Sequence, residues 1–94
     1  MALHVFKQPI ASSYGVEQEI SVTKGAEILR LGYDGQNEQY FILTLCDPNL
    51  DVVELKKVMI VKTFDIFPLH RFNVIYKGYV ERNEYETHLI IVEK

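Results

Sequence analysis

The chain has 94 residues, 48% of them hydrophobic and 24% charged, with 13 acidic against 10 basic side chains for a formal charge of −3. That length holds one domain, residues 1–94, around a single modest core, and the balance is that of a folded chain rather than a disordered one. No basic stripe supplies the counterion release on which generic nucleic-acid binding depends, and no apolar run approaches the roughly 20 residues that span a bilayer. The opening M-A-L-H-V-F-K-Q-P-I lacks a basic start, a continuous apolar middle and a small-residue cleavage site, so no secretory signal is expected. The single cysteine, Cys46, makes no internal disulfide, which fits a reducing, cytoplasmic setting.

Short apolar segments of period two, rich in Val, Ile, Tyr and Phe and separated by turn residues, predict strands throughout. L-H-V-F-K-Q (3–8) reads as a first strand ended by Pro9, and E-Q-E-I-S-V (17–22) as a second, with S-S-Y-G (12–15) as the loop between them. T-K-G-A (23–26) is a turn. Strands at 26–33 and 38–47 flank D-G-Q-N, where Asp34-Gly35 supplies residues tolerant of positive φ for a tight hairpin.

D-P-N-L-D (47–51) is a turn because Pro48 fixes φ while Asp47 and Asn49 can bond their own backbone. The next stretch is ambiguous at its start, where Val52, Leu55 and Met59 fit a helical face. Its end, V-M-I-V-K-T-F, is β-branched, and a strand is expected from about Lys57. F-N-V-I-Y-K-G-Y-V-E (72–81) and Y-E-T-H-L-I-I-V-E (85–93) face each other across R-N-E as a terminal hairpin. The expected fold is all-β: a small antiparallel sandwich or partly closed barrel of six to seven short strands.

Catalytic chemistry finds little footing. Cys46 has apolar flanks and reads as a small core residue. His4, His70 and His88 lie in three separate segments without the pair spacings of zinc sites, although His4 and His88 would meet if the first and last strands paired. The acidic pairs Asp47 with Asp51 and Glu84 with Glu86 sit at turns without a nucleophile beside them. Neither G-x-G-x-x-G nor G-K-[ST] occurs, which excludes P-loop and dinucleotide-fold use of nucleotides. No catalytic residue, metal or cofactor is expected.

Two loops remain as binding candidates. In T-F-D-I-F-P-L-H-R-F (63–72) Pro68 has no N–H for a ladder, so the segment is expected to leave the sheet near Phe67. It reads either as a core corner built on Phe64, Ile66, Leu69 and Phe72, or as a surface where Phe67 stacks and His70 and Arg71 meet an anion. In the loop at 12–15, Ser12, Ser13 and Tyr14 combine hydroxyls with an aromatic ring and can hydrogen-bond a phosphate or a base edge, though this is also ordinary loop chemistry. Tyr76 and Tyr79 flank Gly78, which reads as core packing around a turn or bulge.

V-x-x-G-A-x-I-L (22–29), a strand running into Asp47, M-I-V-x-T (59–63), Y-x-G (76–78) and a closing H-L-I-I-V-E (88–93) together resemble a group of small β-rich domains of unknown function common in bacteriophage genomes. The likeness runs over most of the chain and departs at the strand before Asp47, where those proteins often carry Trp and this chain has none. It implies a phage accessory protein, acting in the host cytoplasm, and carries over no site residues. The leading functional expectation is a non-enzymatic binding protein that sequesters a small anionic, nucleotide-like ligand to counter host defence. The alternatives are an inhibitor of a host defence enzyme and a minor virion or assembly component. Segments such as Q-Y-F-I-L-T-L-C are apolar on both faces, so self-association into a homo-oligomer is also expected.

Overall fold

The computed structural model describes residues 3–63, 73–82 and 85–93. These form seven strands in chain order: β1 (His4–Pro9), β2 (Gln18–Thr23), β3 (Glu27–Asp34), β4 (Gln39–Cys46), β5 (Val53–Lys62), β6 (Asn73–Arg82) and β7 (Tyr85–Glu93). They make two antiparallel sheets, one ordered β1-β4-β3 and the other β2-β5-β7-β6. The fold is all-β as expected, and of the two expected architectures it is the sandwich.

Period-two patterning decides which residues enter the space between the sheets. Along β4 burial alternates strictly, and Tyr40, Ile42, Thr44 and Cys46 point inward. They meet Ile20 and Val22 from β2, Val58 and Ile60 from β5, and Leu89 and Ile91 from β7. On β3 the inward residues are Ile28 and Leu31, whose spacing of three breaks the alternation; a bulge between Ile28 and Arg30 restores the phase. Each such aliphatic side chain contributes about 1.5–3 kcal/mol by leaving water.

The central strands β5 and β7 are buried on both faces over residues 58–61 and 89–92. Met59, Val61, Ile90 and Val92 form a second buried cluster on the side away from the first sheet. This is why V-M-I-V and L-I-I-V read as continuous apolar runs. The ambiguous start of this segment is strand: β5 begins at Val53, ahead of the expected Lys57, and runs to Lys62, because cross-strand pairing with β2 and β7 outweighs the local spacing.

Several turns follow the sequence. Gly25 takes φ +80° in the turn before β3, and Asp47 accepts bonds from the backbone N–H of Asn49 (2.9 Å, to Oδ1) and of Leu50 (3.2 Å, to the carbonyl). The β3–β4 hairpin is present, but its left-handed residue is Glu38 (φ 50°) and not Gly35. Asp34 acts instead through its side chain, accepting from the Gln36 N–H at 3.0 Å and the Asn37 amide at 2.8 Å. Pro9 closes β1 from within, at the strand's last position on a sheet edge.

The two long sides of the sandwich differ. On one, β3 and β6, the edge strands of the two sheets, lie alongside each other. On the other, β1 and β2 are joined at the loop end: the Gln18 amide bonds both the N–H and the carbonyl of Ala11, at 2.9 and 2.7 Å, and Gln8 donates to the Ser21 carbonyl at 3.0 Å. Farther along they part around a groove of about 340 Å³ with Phe6, Val22, Thr44, Cys46 and Val53 among its walls.

Candidate anion site at a tyrosine and arginine cluster

Both hairpins put a tyrosine beside the turn. In β3–β4, Tyr33 is the cross-strand partner of Tyr40, one pair in from Asp34 and Gln39. In β6–β7, Arg82 is the partner of Tyr85. The loop after β1 adds Tyr14, which makes an isolated parallel bridge to Ile60. The Gly15 N–H bonds the Ile60 carbonyl at 2.8 Å with φ +72°, a conformation that suits glycine. The loop is thereby fixed to β5 with the Tyr14 ring turned into the cluster.

Hydroxyls converge there. Tyr14 OH lies 2.8 Å from Tyr40 OH and 3.0 Å from Tyr85 OH, and Tyr40 OH lies 2.7 Å from Thr87 Oγ1. The rings of Tyr40 and Tyr85 stand nearly edge-on to Tyr14, at 86° and 82°. Arg82 Nη1 donates to Tyr14 OH at 3.2 Å. With one proton and two lone pairs, the Tyr14 oxygen accepts from Arg82, then donates to one of the other two phenols and accepts from the other.

Two cations face these rings. The Arg82 guanidinium sits 4.5 Å from the Tyr33 centroid and 5.7 Å from that of Tyr40. Lys62 Nζ lies 5.0 Å from the Tyr14 centroid and 5.3 Å from that of Tyr85. Among the described residues no ion pair involves Arg82, and its Nε–H is buried without an acceptor. Hydrogen bonding to Tyr40, and then to Tyr14, holds the guanidinium in its charged form, above its ordinary range. Burial pushes the Tyr40 phenol up as well, so Tyr40 keeps its proton at neutral pH and is no base. The arrangement can accept negative charge.

The expected binding residues divide. Tyr14 is at the centre of the cluster; Ser12 and Ser13 are exposed on the same loop and stand outside its hydrogen-bond network. Phe67, His70 and Arg71 lie outside the described residues, as do Phe64, Ile66, Leu69 and Phe72. Arg82, Tyr33, Tyr40 and Tyr85 were not anticipated from the sequence. The usable signal was the symmetry of the two hairpins, which sets Tyr33 against Tyr40 and Arg82 against Tyr85 near their turns.

Elsewhere, His4 and His88 do not meet, because β1 and β7 belong to different sheets. His88 instead bonds Tyr76 OH through Nδ1 at 2.7 Å and Thr63 Oγ1 through Nε2 at 2.8 Å. Tyr76 and Tyr79 flank a bulge, with Gly78 at φ +90°, but at 56% and 52% exposure they are surface residues rather than core. Cys46 is buried and free. Among the described residues no group of three or more His, Cys, Asp or Glu side chains gathers, and no helix is long and apolar enough to cross a membrane. Comparison with protein-family models, curated proteins and solved structures finds no match for this chain.

Proposed function

We propose that this is a non-enzymatic binding protein whose ligand is a small anion of nucleotide-like chemistry, held at the cluster of Arg82, Lys62 and Tyr14. The observation that carries the reading is Arg82: a guanidinium fixed by Tyr33 and Tyr14, without a carboxylate partner among the described residues. A guanidinium with unused N–H donors is suited to a phosphate or carboxylate, and tyrosine faces beside it suit a planar ring. In the phage setting implied by the sequence resemblance, such a protein would sequester a nucleotide signal of host defence.

Calorimetric titration with nucleoside monophosphates and cyclic dinucleotides tests it. Binding is expected for the wild-type chain and loss of about tenfold or more for Arg82→Gln. Equal affinity in the two proteins, or no uptake of any nucleotide, defeats the reading.

A further inference from the structure

Edge strands invite pairing with other chains, and proteins blunt them with charge, proline, bulges or cover. The sandwich has four edges: β1, β3, β2 and β6. β1 carries Lys7 and ends in Pro9, β2 carries Glu19, and β3 carries Glu27, Arg30 and Asp34 around its bulge. The second half of β6 is protected likewise, by the bulge between Tyr76 and Tyr79, by Lys77, Glu81 and Arg82, and by the contact of Arg82 with Tyr33 of β3. The first four residues, Asn73, Val74, Ile75 and Tyr76, carry no such device. All are exposed, the last three at 40%, 41% and 56%. Ile75 is informative because its cross-strand partner is Ile91, a residue of the intersheet core. It stands on the core-facing side and still meets solvent.

We propose that this half of β6 pairs antiparallel with the same segment of a second copy of the chain, about a two-fold axis at Ile75. The segment is self-complementary in that register. Ile75 stands opposite Ile75 of the other copy, Val74 opposite Tyr76 and Asn73 opposite Lys77, so aromatic and β-branched residues are paired and no like charges are opposed. The two four-stranded sheets join into one that runs β2-β5-β7-β6 and back through the second copy. The bulge after Tyr76 keeps the ladder short, so the dimer dissociates on dilution. A register centred on Tyr79 would pair Lys77 with Glu81 but must cross the bulge.

Sedimentation equilibrium of the full chain over a dilution series, combined with cysteine cross-linking, tests the pairing. The expected mass rises with concentration from 11.0 kDa toward twice that value, and Ile75→Lys, which opposes two ammonium groups across the axis, raises the dissociation constant by about tenfold or more. Residues directly opposed across antiparallel strands have Cα atoms about 4.5–5.5 Å apart, within disulfide reach. Ile75→Cys is therefore expected to oxidise to a covalent dimer, and Tyr79→Cys is not; the native Cys46 is buried and does not compete. A mass of 11.0 kDa at every concentration, an association untouched by Ile75→Lys, or preferential cross-linking at Tyr79→Cys overturns the proposal. If Ile75→Lys does not fold, the two cysteine variants decide.

Discussion

The Arg82 guanidinium lies 4.5 Å from the centre of the Tyr33 ring and joins the two sheets across their shared side. Arg82 is on β6 and Tyr33 on β3, so the contact spans the sandwich where those edges run together. The same cation donates to Tyr14 on the loop after β1, and one side chain thereby gathers three separate parts of the chain.

A residue whose only role was to hold the sheets together would lower stability when its cation is removed. Arg82→Met removes the guanidinium from over the Tyr33 ring together with its bond to Tyr14, and it also removes the buried Nε–H that lacks an acceptor, which offsets those losses. The expected outcome is a melting temperature close to that of the wild type and, on the proposed function, loss of nucleotide binding. A large fall in melting temperature would assign Arg82 to the fold instead.

Tyr40 and Thr87 form a fully buried hydroxyl pair at 2.7 Å. Tyr40→Phe leaves the Thr87 hydroxyl without that partner, at a cost of about 1–3 kcal/mol, and Thr87→Val costs less because Tyr40 OH keeps its bond to Tyr14. Replacing both removes the unmet group, so the double variant is expected to lose less than the two single losses added. Chemical denaturation of the four proteins checks this, and strict additivity would show that the hydroxyls do not act as a pair.

Gly32 and Phe41 are cross-strand partners on the outer face of the first sheet. The Phe41 ring occupies the place that a Cβ on residue 32 would take, and Lys7 Nζ lies over that ring at 4.3 Å from its centroid. Gly32→Ala must displace the ring and is expected to cost about 1–3 kcal/mol. In a Phe41→Ala background the same change is expected to cost little, since the space is open. Thermal melts of the single and double variants distinguish this steric cost from a backbone one.

Most of the strand pattern was legible because burial here follows period two, and the seven strands begin and end within a few residues of the turn signals. Phase shifts were not legible: the β3 bulge that brings Leu31 inward leaves no mark beyond an irregular spacing. The ambiguous run from Val52 was settled by pairing partners that lie far away in the chain. Tyr14 could be singled out from its loop composition. Arg82 could not, because its environment depends on Tyr33 and Tyr14, 49 and 68 positions away, and only the packing of the two sheets brings them together.

The buried Tyr40 phenol also sets a pH dependence. Burial raises its pKa above the ordinary 10.0, with the neighbouring Tyr14 phenol adding to the rise and the bonds to Thr87 and Arg82 opposing it. Below pH 10 Tyr40 is protonated in both folded and unfolded chains and adds no slope. Above it the unfolded phenol ionises while the folded one keeps its proton, so the unfolded state binds fewer protons and stability falls as pH rises, until the folded phenol ionises too. One such proton corresponds to about 1.4 kcal/mol per pH unit. Urea denaturation between pH 8 and 11.5 is therefore expected to show a steeper alkaline loss for the wild type than for Tyr40→Phe. Absorbance near 295 nm would show Tyr40 ionising late, together with unfolding. Parallel stability curves for the two proteins would mean that the folded environment leaves the Tyr40 proton as it is in the unfolded chain.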